Sequence, residues 1–193
     1  MHHFADQIID FVKANNNFGI DIQISDEKQA LLDTGGGLKH ARPFFERERH
    51  FLIHNVDVIT NLNLEEMLAN HQERDAMATL AVRSRKTSRY LTFEDSSSEM
   101  TGWTNLKTGE IKISRISSEL VTNFAFSGVH MVSTDIFDHL PDDEAFSIID
   151  AYLEIAKNNR VICYPHDDSY WHDVGKVDNI PAAERSLNKT TFF

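Results

Sequence analysis

Three consecutive glycines, Gly35 to Gly37, are the first residues of the sequence that indicate contact with a ligand. Glycine has no Cβ atom, so a glycine run can adopt positive φ angles and lets a planar base or a phosphate approach main-chain groups closely. Asp33-Thr34 precede the run, and a helix-compatible segment, 38–41, follows it. The pattern predicts a turn that faces a nucleotide. The alternative is a flexible loop or a helix start, because the spacing is not that of a phosphate-loop fingerprint.

Asp57 is the second candidate, since it stands at the carboxyl end of a mostly apolar run, 51–58. Such a run is typical of a strand that is buried on both faces of a parallel sheet, where a charged residue has no role in the core. Ligands of these sheets bind beyond the carboxyl ends of the strands. Asp57 is therefore expected to face a ligand.

The elements that must position these residues alternate between helix and strand patterns. Helix patterns occupy 4–12, 63–71 and 147–156, and strand patterns occupy 19–24, 51–58, 76–82, 122–132, 161–166 and 170–175. Residues 90–115 show short alternating stretches separated by turns, which is typical of antiparallel hairpins inserted beside a main sheet. The order predicts an α/β fold.

Composition limits the possible partners. A net charge of -11 argues against non-specific nucleic-acid binding, and the Lys and Arg residues are scattered except at 83–86. The single cysteine, Cys163, excludes an internal disulfide and a cysteine-rich zinc site, which fits a reducing cytoplasm. The sequence has no apolar stretch of about 20 residues and no signal-peptide pattern, so we expect a cytoplasmic protein with no membrane partner.

Five segments occur in an order that resembles the sugar-1-phosphate nucleotidyltransferase family, also called nucleotide-sugar pyrophosphorylases. They are Leu31 to Leu38, Phe51 to Val58, Phe126 to His130, Phe146 to Asp150, and Trp171 to Gly175. The Thr-Gly-Gly-Gly form is most similar to the branch of N-acetylmuramate-1-phosphate uridylyltransferases and mannose-1-phosphate guanylyltransferases. The resemblance covers nearly the whole chain.

The resemblance implies a Rossmann-like, GT-A-like three-layer sandwich with a mixed, mostly parallel sheet and a small antiparallel insertion. It implies one nucleotidyltransferase domain, 1–185, and a C-terminal tail, 186–193. The implied reaction transfers a nucleoside monophosphate from UTP or GTP to a sugar 1-phosphate and releases pyrophosphate, as in nucleotide-sugar biosynthesis.

Residue roles follow by resemblance. Asp57 and Asp173 would hold Mg²⁺, a hard cation that prefers one or two carboxylates together with substrate phosphates. The alternative is that each aspartate caps the turn after its strand. The nucleotide would contact Thr34, Gly35, Gly36 and Asn55.

The resemblance also places two residues at the sugar. These are Gly128 and Asp150, for which the alternatives are a β-bulge and a helix-surface aspartate.

Two departures from the family pattern matter. Val56 precedes Asp57 where the family often has glycine. No segment resembles the family's amino-terminal strand and Gly-x-Gly-x-Arg phosphate loop, so we expect a truncated chain that lacks a βαβ unit and has little or no activity of its own. The open sheet edge left by that unit would favour a homo-oligomer.

Two other functions remain open. One is a degenerate module that binds a nucleotide or a sugar phosphate without turnover. The other is a metal-dependent glycosyltransferase, which would need an Asp-x-Asp pair at a strand end. The sequence offers only Asp142-Asp143 and Asp167-Asp168, neither of which follows a buried strand in that form.

Overall fold

The computed structural model describes residues 5–27 and 31–187. The helices are α1 (Ala5–Ala14), α2 (Asp33–His40), α3 (Leu64–Glu73), α4 (Ile148–Ile155) and α5 (Ile180–Leu187). The strands are β1 (His50–His54), β2 (Val58–Thr60), β3 (Ala78–Arg83), β4 (Arg89–Glu94), β5 (Met100–Asn105), β6 (Glu110–Ile113), β7 (Val121–Ser133), β8 (Val161–Pro165) and β9 (Trp171–Asp173). The chain forms two compact units, 1–49 with 134–152 and 50–133 with 153–193.

The second unit contains a seven-stranded sheet in the order β6-β5-β4-β7-β3-β8, in which β1 also pairs with β7. A separate two-stranded sheet joins β2 to β9. The structure confirms three features of the predicted fold. They are the α/β class, the mixed sheet and the antiparallel insertion of β4 to β6. The share of parallel pairing is smaller than expected: among the described strands only β3 and β8 run parallel. The reason is β7, whose 13 residues run antiparallel to β1, β3 and β4.

The strand expected at 19–24 is absent from the described chain, and Ile20 there is 65% exposed. A segment of alternating apolar and polar residues forms a strand only where a neighbouring strand can hydrogen-bond to its main-chain N–H and C=O groups. The expected tail begins inside α5, which continues to Leu187, and 188–193 lie outside the described residues, as do 1–4. No helix in the described part of the chain is long and apolar enough to cross a bilayer.

One hydrophobic cluster joins α3 to the main sheet. Its buried members are Val58, Leu62, Met67, Ala81, Val129 and Met131. The start of α3 is capped by the Asn63 side chain, which accepts a hydrogen bond from the Glu66 amide at 3.2 Å. The cap and the apolar stripe together orient α3 on the sheet that carries the ends of β1 and β7.

His71, near the end of α3, is fully buried among these elements. Its Nδ1 lies 2.8 Å from Thr79 Oγ1 on β3, and its Nε2 lies 3.2 Å from His50 Nδ1 on β1. Burial, and next the neighbouring His50, lower the pKa of His71 to about 4, with Asp75 acting in the opposite direction. His71 is therefore a neutral hydrogen-bonding link between helix and sheet at neutral pH.

In the first unit the glycine run lies inside α2, so the predicted turn is wrong. The positive φ angle belongs to Asp33 (58°), at the start of the helix, and none of the three glycines has one. Gly35 and Gly36 are buried because residues 144–146 pass directly over them: the Gly35 amide donates to the Phe146 carbonyl at 2.9 Å. The missing Cβ atoms serve this close packing of the chain on itself.

The packing of α2 predicts opposite effects for neighbouring alanine substitutions. A Cβ atom on Gly36 would overlap the main-chain carbonyl of Glu144, whereas one on Gly37 would meet only the flexible end of the Glu27 side chain, at 3.1 Å. Gly36→Ala is expected to destabilise the protein by ~1–3 kcal/mol. Gly37→Ala, the matched control, gains helix propensity worth up to ~1 kcal/mol and is expected to be neutral or stabilising. Thermal and denaturant unfolding measure both, and equal effects would contradict this account of the glycines.

Acidification is expected to destabilise the unit that contains His71. An unfolded chain takes up the histidine proton near the ordinary pKa of 6.5, while folded His71 does so only at about 4. Between these values the unfolded state binds more protons, so this contribution to stability is complete above about pH 6.5 and is lost as the pH falls towards 4.

Denaturant unfolding between about pH 4 and pH 7.5 measures this slope. His71→Gln keeps polar atoms at the site but removes the titrating group. Its stability should depend less on pH, by up to about 1.36 kcal/mol per pH unit, which corresponds to one proton. A variant with the wild-type slope would show that His71 does not contribute.

Candidate functional site

Asp57 and Asp173 face one point in the second unit. Asp57 lies in the turn between β1 and β2, and Asp173 ends β9, the partner strand of β2. Both carboxylates lie next to Gly175. A Cβ atom placed on this glycine would lie 2.6 Å from Asp57 Oδ2 and 3.1 Å from Asp173 Oδ1. The two oxygens are therefore at most about 6 Å apart. Asp57 is half-buried and Asp173 is exposed, so the pair is open to a ligand.

Main-chain hydrogen bonds hold the two aspartates in place. The Val174 amide donates to the Asp57 carbonyl at 2.8 Å, which ties the two segments together. Asp173 Oδ1 accepts the Gly175 amide at 3.0 Å, and the Asp173 carbonyl accepts Asn179 Nδ2 at 2.8 Å. The turn-capping alternative thus describes Asp173 Oδ1, the same oxygen that lies near Asp57 Oδ2. A carboxylate has about four lone-pair sites, so this one bond leaves the group able to bind a cation.

A bulge in β7 supports the Asp57 turn. Gly128 has φ 77°, and the pairing register of β3 with β7 shifts between Leu80 and Val82, opposite this point. The Asn55 amide donates to the Gly128 carbonyl at 2.8 Å, and a Cβ atom on Gly128 would lie 2.8 Å from Asn55 Nδ2. Only glycine satisfies both the left-handed backbone and this close approach. The bulge reading of Gly128 is confirmed, and the bulge brings Asn55 to the site.

A buried polar network connects the bulge to β9. Trp171 Nε1 donates to the Ser127 carbonyl at 2.8 Å, and His166 Nε2 lies 2.7 Å from Ser127 Oγ. His166 Nδ1 lies 2.6 Å from Ser169 Oγ. Burial, and then the charge of Arg83, lower the pKa of His166 to about 4, so the ring is neutral at pH 7. The network holds the segment that leads to Asp173.

Arg85 is a residue that sequence reasoning missed. Its guanidinium carbon lies 4.5 Å from the Trp171 ring centroid, and its Nη2 donates to the Phe126 carbonyl at 3.0 Å. Burial lowers the pKa of Arg85, and the charge of Asp173 is the next influence and raises it. Its Nε atom is buried and has no hydrogen-bond partner among the described residues. Arg85 therefore lies against the Trp171 ring, and its positive charge interacts with the charge of Asp173. The cluster of cations at 83–86 was the signal that could have found it.

The donor set at the pair fits Mg²⁺. No group of three or more His, Cys, Asp or Glu side chains that could hold a metal occurs in the described ranges. Mg²⁺ needs no such cage, because it keeps several waters and is usually bound through one or two carboxylates and substrate phosphates. Two carboxylate oxygens that face one open point meet this requirement.

The structure places the predicted site residues in two groups. Asn55, Asp57, Gly128 and Asp173 occupy the second unit, as described above. Thr34, Gly35, Gly36 and Asp150 belong to the first unit. There Thr34 is exposed and its Oγ1 accepts the Ile148 amide at 3.0 Å. Asp150 is an exposed residue in the first turn of α4.

Asp167-Asp168 does not form an Asp-x-Asp metal site. The Asp167 carboxylate accepts the Ser84 amide at 2.9 Å, and its Oδ1 lies 3.9 Å from Arg83 Nε. Arg83 also donates to the main-chain carbonyls of Asp167 and Ser169. Asp167 thus contributes to holding the loop between β8 and β9.

Comparison with known proteins gives consistent relatives. The N-acetylmuramate alpha-1-phosphate uridylyltransferase of Caulobacter vibrioides is 28% identical over 195 residues, which cover 97% of this chain and 75% of that protein. HddC from Yersinia pseudotuberculosis superposes with a TM-score of 0.71 at 17% identity, covering 96% of this chain and 76% of the other. A putative glucose-1-phosphate thymidylyltransferase from Bacillus anthracis, solved in complex with a sucrose, gives 0.69 at 13% identity, with 98% and 74% covered.

The family model described as Nucleotidyl transferase matches residues 2–190. This match confirms the resemblance that the five sequence segments indicated. Because it spans nearly the whole length, the chain belongs to the nucleotidyl transferase family.

Proposed function

We propose that the carboxylate pair, Asp57 and Asp173, is the metal-binding part of a site that transfers a nucleoside monophosphate from UTP or GTP to a sugar 1-phosphate, with release of pyrophosphate. The observation that carries the proposal is the convergence of these two aspartates on one open point, in a chain of this family. The reaction brings two highly charged anions together, so it requires cations and in-line positioning more than covalent help.

Each residue at the pair has a proposed role. Asp57 and Asp173 hold Mg²⁺, which when bound neutralises phosphate charge and orients the reacting oxygens. Arg85 offsets the negative charge of the pair, because its charge interacts with that of Asp173, and it offers its guanidinium charge to a phosphate group. Trp171 keeps the guanidinium plane in place by stacking.

Other contacts are proposed from the family resemblance. Asn55 contacts the nucleotide and Gly128 the sugar, and their mutual contact supports a shared position at the site. The resemblance assigns Thr34, Gly35 and Gly36 to the nucleotide and Asp150 to the sugar, and a nucleotide would reach the two glycines only where residues 144–146 leave them uncovered. Of Thr34, Gly35 and Gly36, Thr34 is the exposed one, so it is the strongest candidate of the three.

The likeness to an N-acetylmuramate alpha-1-phosphate uridylyltransferase favours UTP and an N-acetylated sugar 1-phosphate as the first substrates to test. The second candidate function is a binding module without turnover. It is favoured by one observation: the 193 residues contain no Gly-x-Gly-x-Arg segment that could cradle a triphosphate. We expect this polypeptide by itself to bind ligands through the carboxylate pair and to turn over weakly.

Replacing either aspartate is expected to remove Mg²⁺-dependent ligand binding. Asp57→Asn and Asp173→Asn each preserve shape and remove a charge that the metal requires. Calorimetric titration with UTP and with UDP-N-acetylated sugar, each with and without Mg²⁺, should show a metal-dependent affinity gain in the wild type that both variants lose. Asp168→Asn, an exposed aspartate in the β8–β9 loop, is the matched control and should bind normally.

A pyrophosphate-release assay with Mg²⁺, UTP or GTP and several sugar 1-phosphates separates the two functions. Turnover that both aspartate variants abolish supports the transferase, and binding without turnover supports the module. Metal-independent binding that survives in Asp57→Asn and Asp173→Asn would overturn the metal role of the pair. Turnover in the ordinary enzyme range of about 1 to 10³ per second would contradict the expected weak activity.

Arg85 is expected to control affinity for the anionic substrate. Arg85→Met removes a charge-assisted hydrogen bond worth about 1.5–3 kcal/mol, so binding of the sugar 1-phosphate should weaken roughly 10- to 100-fold. Arg85→Lys keeps the charge but loses the planar stack on Trp171, so it should rescue binding only in part. The exposed neighbour supplies the control, Lys86→Met. If Arg85→Met lowers only thermal stability and leaves affinity unchanged, the residue is structural.

A further inference from the structure

The outer edge of β6 is open among the described residues, since β6 pairs with β5 alone and ends the sheet. The geometry points to pairing of this edge with the same edge of a second copy of the chain, across a two-fold axis at Ile111. This edge belongs to the antiparallel insertion formed by β4 to β6.

The hydrogen-bond pattern shows which residues can pair outward. The Ser114 amide, just beyond β6, donates to the Thr101 carbonyl at 2.8 Å, in register with the rest of the pairing between β5 and β6. Alternate residues of an antiparallel strand direct their main-chain groups to the same side. Glu110 and Lys112 therefore bond to β5, and the N–H and C=O groups of Ile111 and Ile113 point away from the sheet.

A two-fold axis at Ile111 uses these outward groups. The two copies of Ile111 then exchange a reciprocal pair of N–H···O=C bonds, and Ile113 of each copy faces Gly109 of the other. In the same register Glu110 stands opposite Lys112 of the second copy, and Lys112 opposite Glu110. The strand is self-complementary in charge, and opposite charges directly across an antiparallel pair are stabilising.

Neighbouring registers lack this complementarity. An axis at Lys112 places two lysines opposite each other, and an axis at Glu110 places two glutamates opposite each other, both of which are destabilising. An axis between two residues pairs an outward-facing residue with an inward-facing one, so the reciprocal hydrogen bonds are lost. Charges on an edge strand normally block pairing with unrelated strands. In β6 the order of the charges favours one partner, which is β6 of a second copy of the chain.

The face of β6 opposite the charges adds an apolar surface. Ile111, Ile113 and Ile116 are 68%, 67% and 96% exposed. They line a groove of about 300 Å³, to which Val121 and also the charged residues Lys112, Arg115 and Glu119 contribute. The two-fold axis brings the isoleucines of two copies together over this groove. The contact is short, so it belongs to the low end of specific interfaces, and we expect a reversible, concentration-dependent dimer.

Sedimentation velocity of the full chain, over about 1 to 500 µM, tests the dimer. The wild type should shift from monomer to dimer in this range. Lys112→Glu and Glu110→Lys each turn two attractive pairs into two repulsive ones, and each should weaken association about tenfold or more. The double variant Glu110→Lys/Lys112→Glu recreates the complementary pattern and should restore it. Lys13→Glu, an exposed lysine on α1, carries the same charge change as a control and should dimerise normally.

Cross-linking tests the register directly. The Cα atoms of a hydrogen-bonded antiparallel pair are about 5.5 Å apart, within the range that a disulfide spans. Oxidised Ile111→Cys should therefore form a covalent dimer, while Ile116→Cys, which is exposed but off the axis, should not. The native Cys163 is buried and does not compete.

Three outcomes would overturn the proposal. They are a wild type that stays monomeric up to the highest concentration, a dimer that Lys112→Glu leaves intact, and a double variant that folds, as circular dichroism would show, but does not recover association. Pairing of this edge with an unrelated extended peptide would appear as the first of these, since it requires no second copy.

Discussion

The hydrogen bond from the Asn55 amide to the Gly128 carbonyl is the contact on which the site depends most. It forms only because β7 bulges at Gly128, where a positive φ angle and the nearby Asn55 side chain exclude any larger residue. The bond fixes the chain just after β1, and so determines where Asp57 lies. The polar network from His166 through Ser127 to Trp171 then places Asp173 relative to the same bulge. One irregularity in the longest strand thus positions both carboxylates.

Electrostatics explain why the pair needs this support. The chain carries a net charge of -11, and two carboxylates that face one point repel each other unless a cation lies between or beside them. Arg85 is held by the Trp171 ring and by the Phe126 carbonyl, and its Nε is buried without a hydrogen-bond partner among the described residues. A buried donor without a partner is unfavourable for folding, and the contacts of Arg85 with Trp171 and Phe126 are the interactions that offset it. The same reasoning does not apply to Arg83, whose donors are used to hold the β8–β9 loop.

Sequence patterns predicted some features of the protein correctly and missed others. The order of five short segments was enough to identify the family, and the apolar run before Asp57 pointed to the right end of β1. The turn predicted at the glycines is wrong, because the absence of a Cβ atom suits a ligand and a neighbouring backbone equally well. Only the position of residues 144–146 shows that the chain itself covers Gly35 and Gly36. Arg85 was missed because the sequence around a cation does not show which residues it will contact in the fold. Its contacts come from β7 and β9.

The sequence by itself determined the class of fold, the family and the candidate metal ligands. These follow from local patterns and from the order of motifs, both of which are properties of a linear chain. Tertiary structure decided that the glycines pack inside a helix, that β7 runs antiparallel to three strands, and that Arg85 lies against Trp171 and Phe126. It also decided which groups of β6 face outward. Each of these depends on contacts between residues far apart in the chain, and the free energy of such contacts is set by the partner as much as by the residue itself.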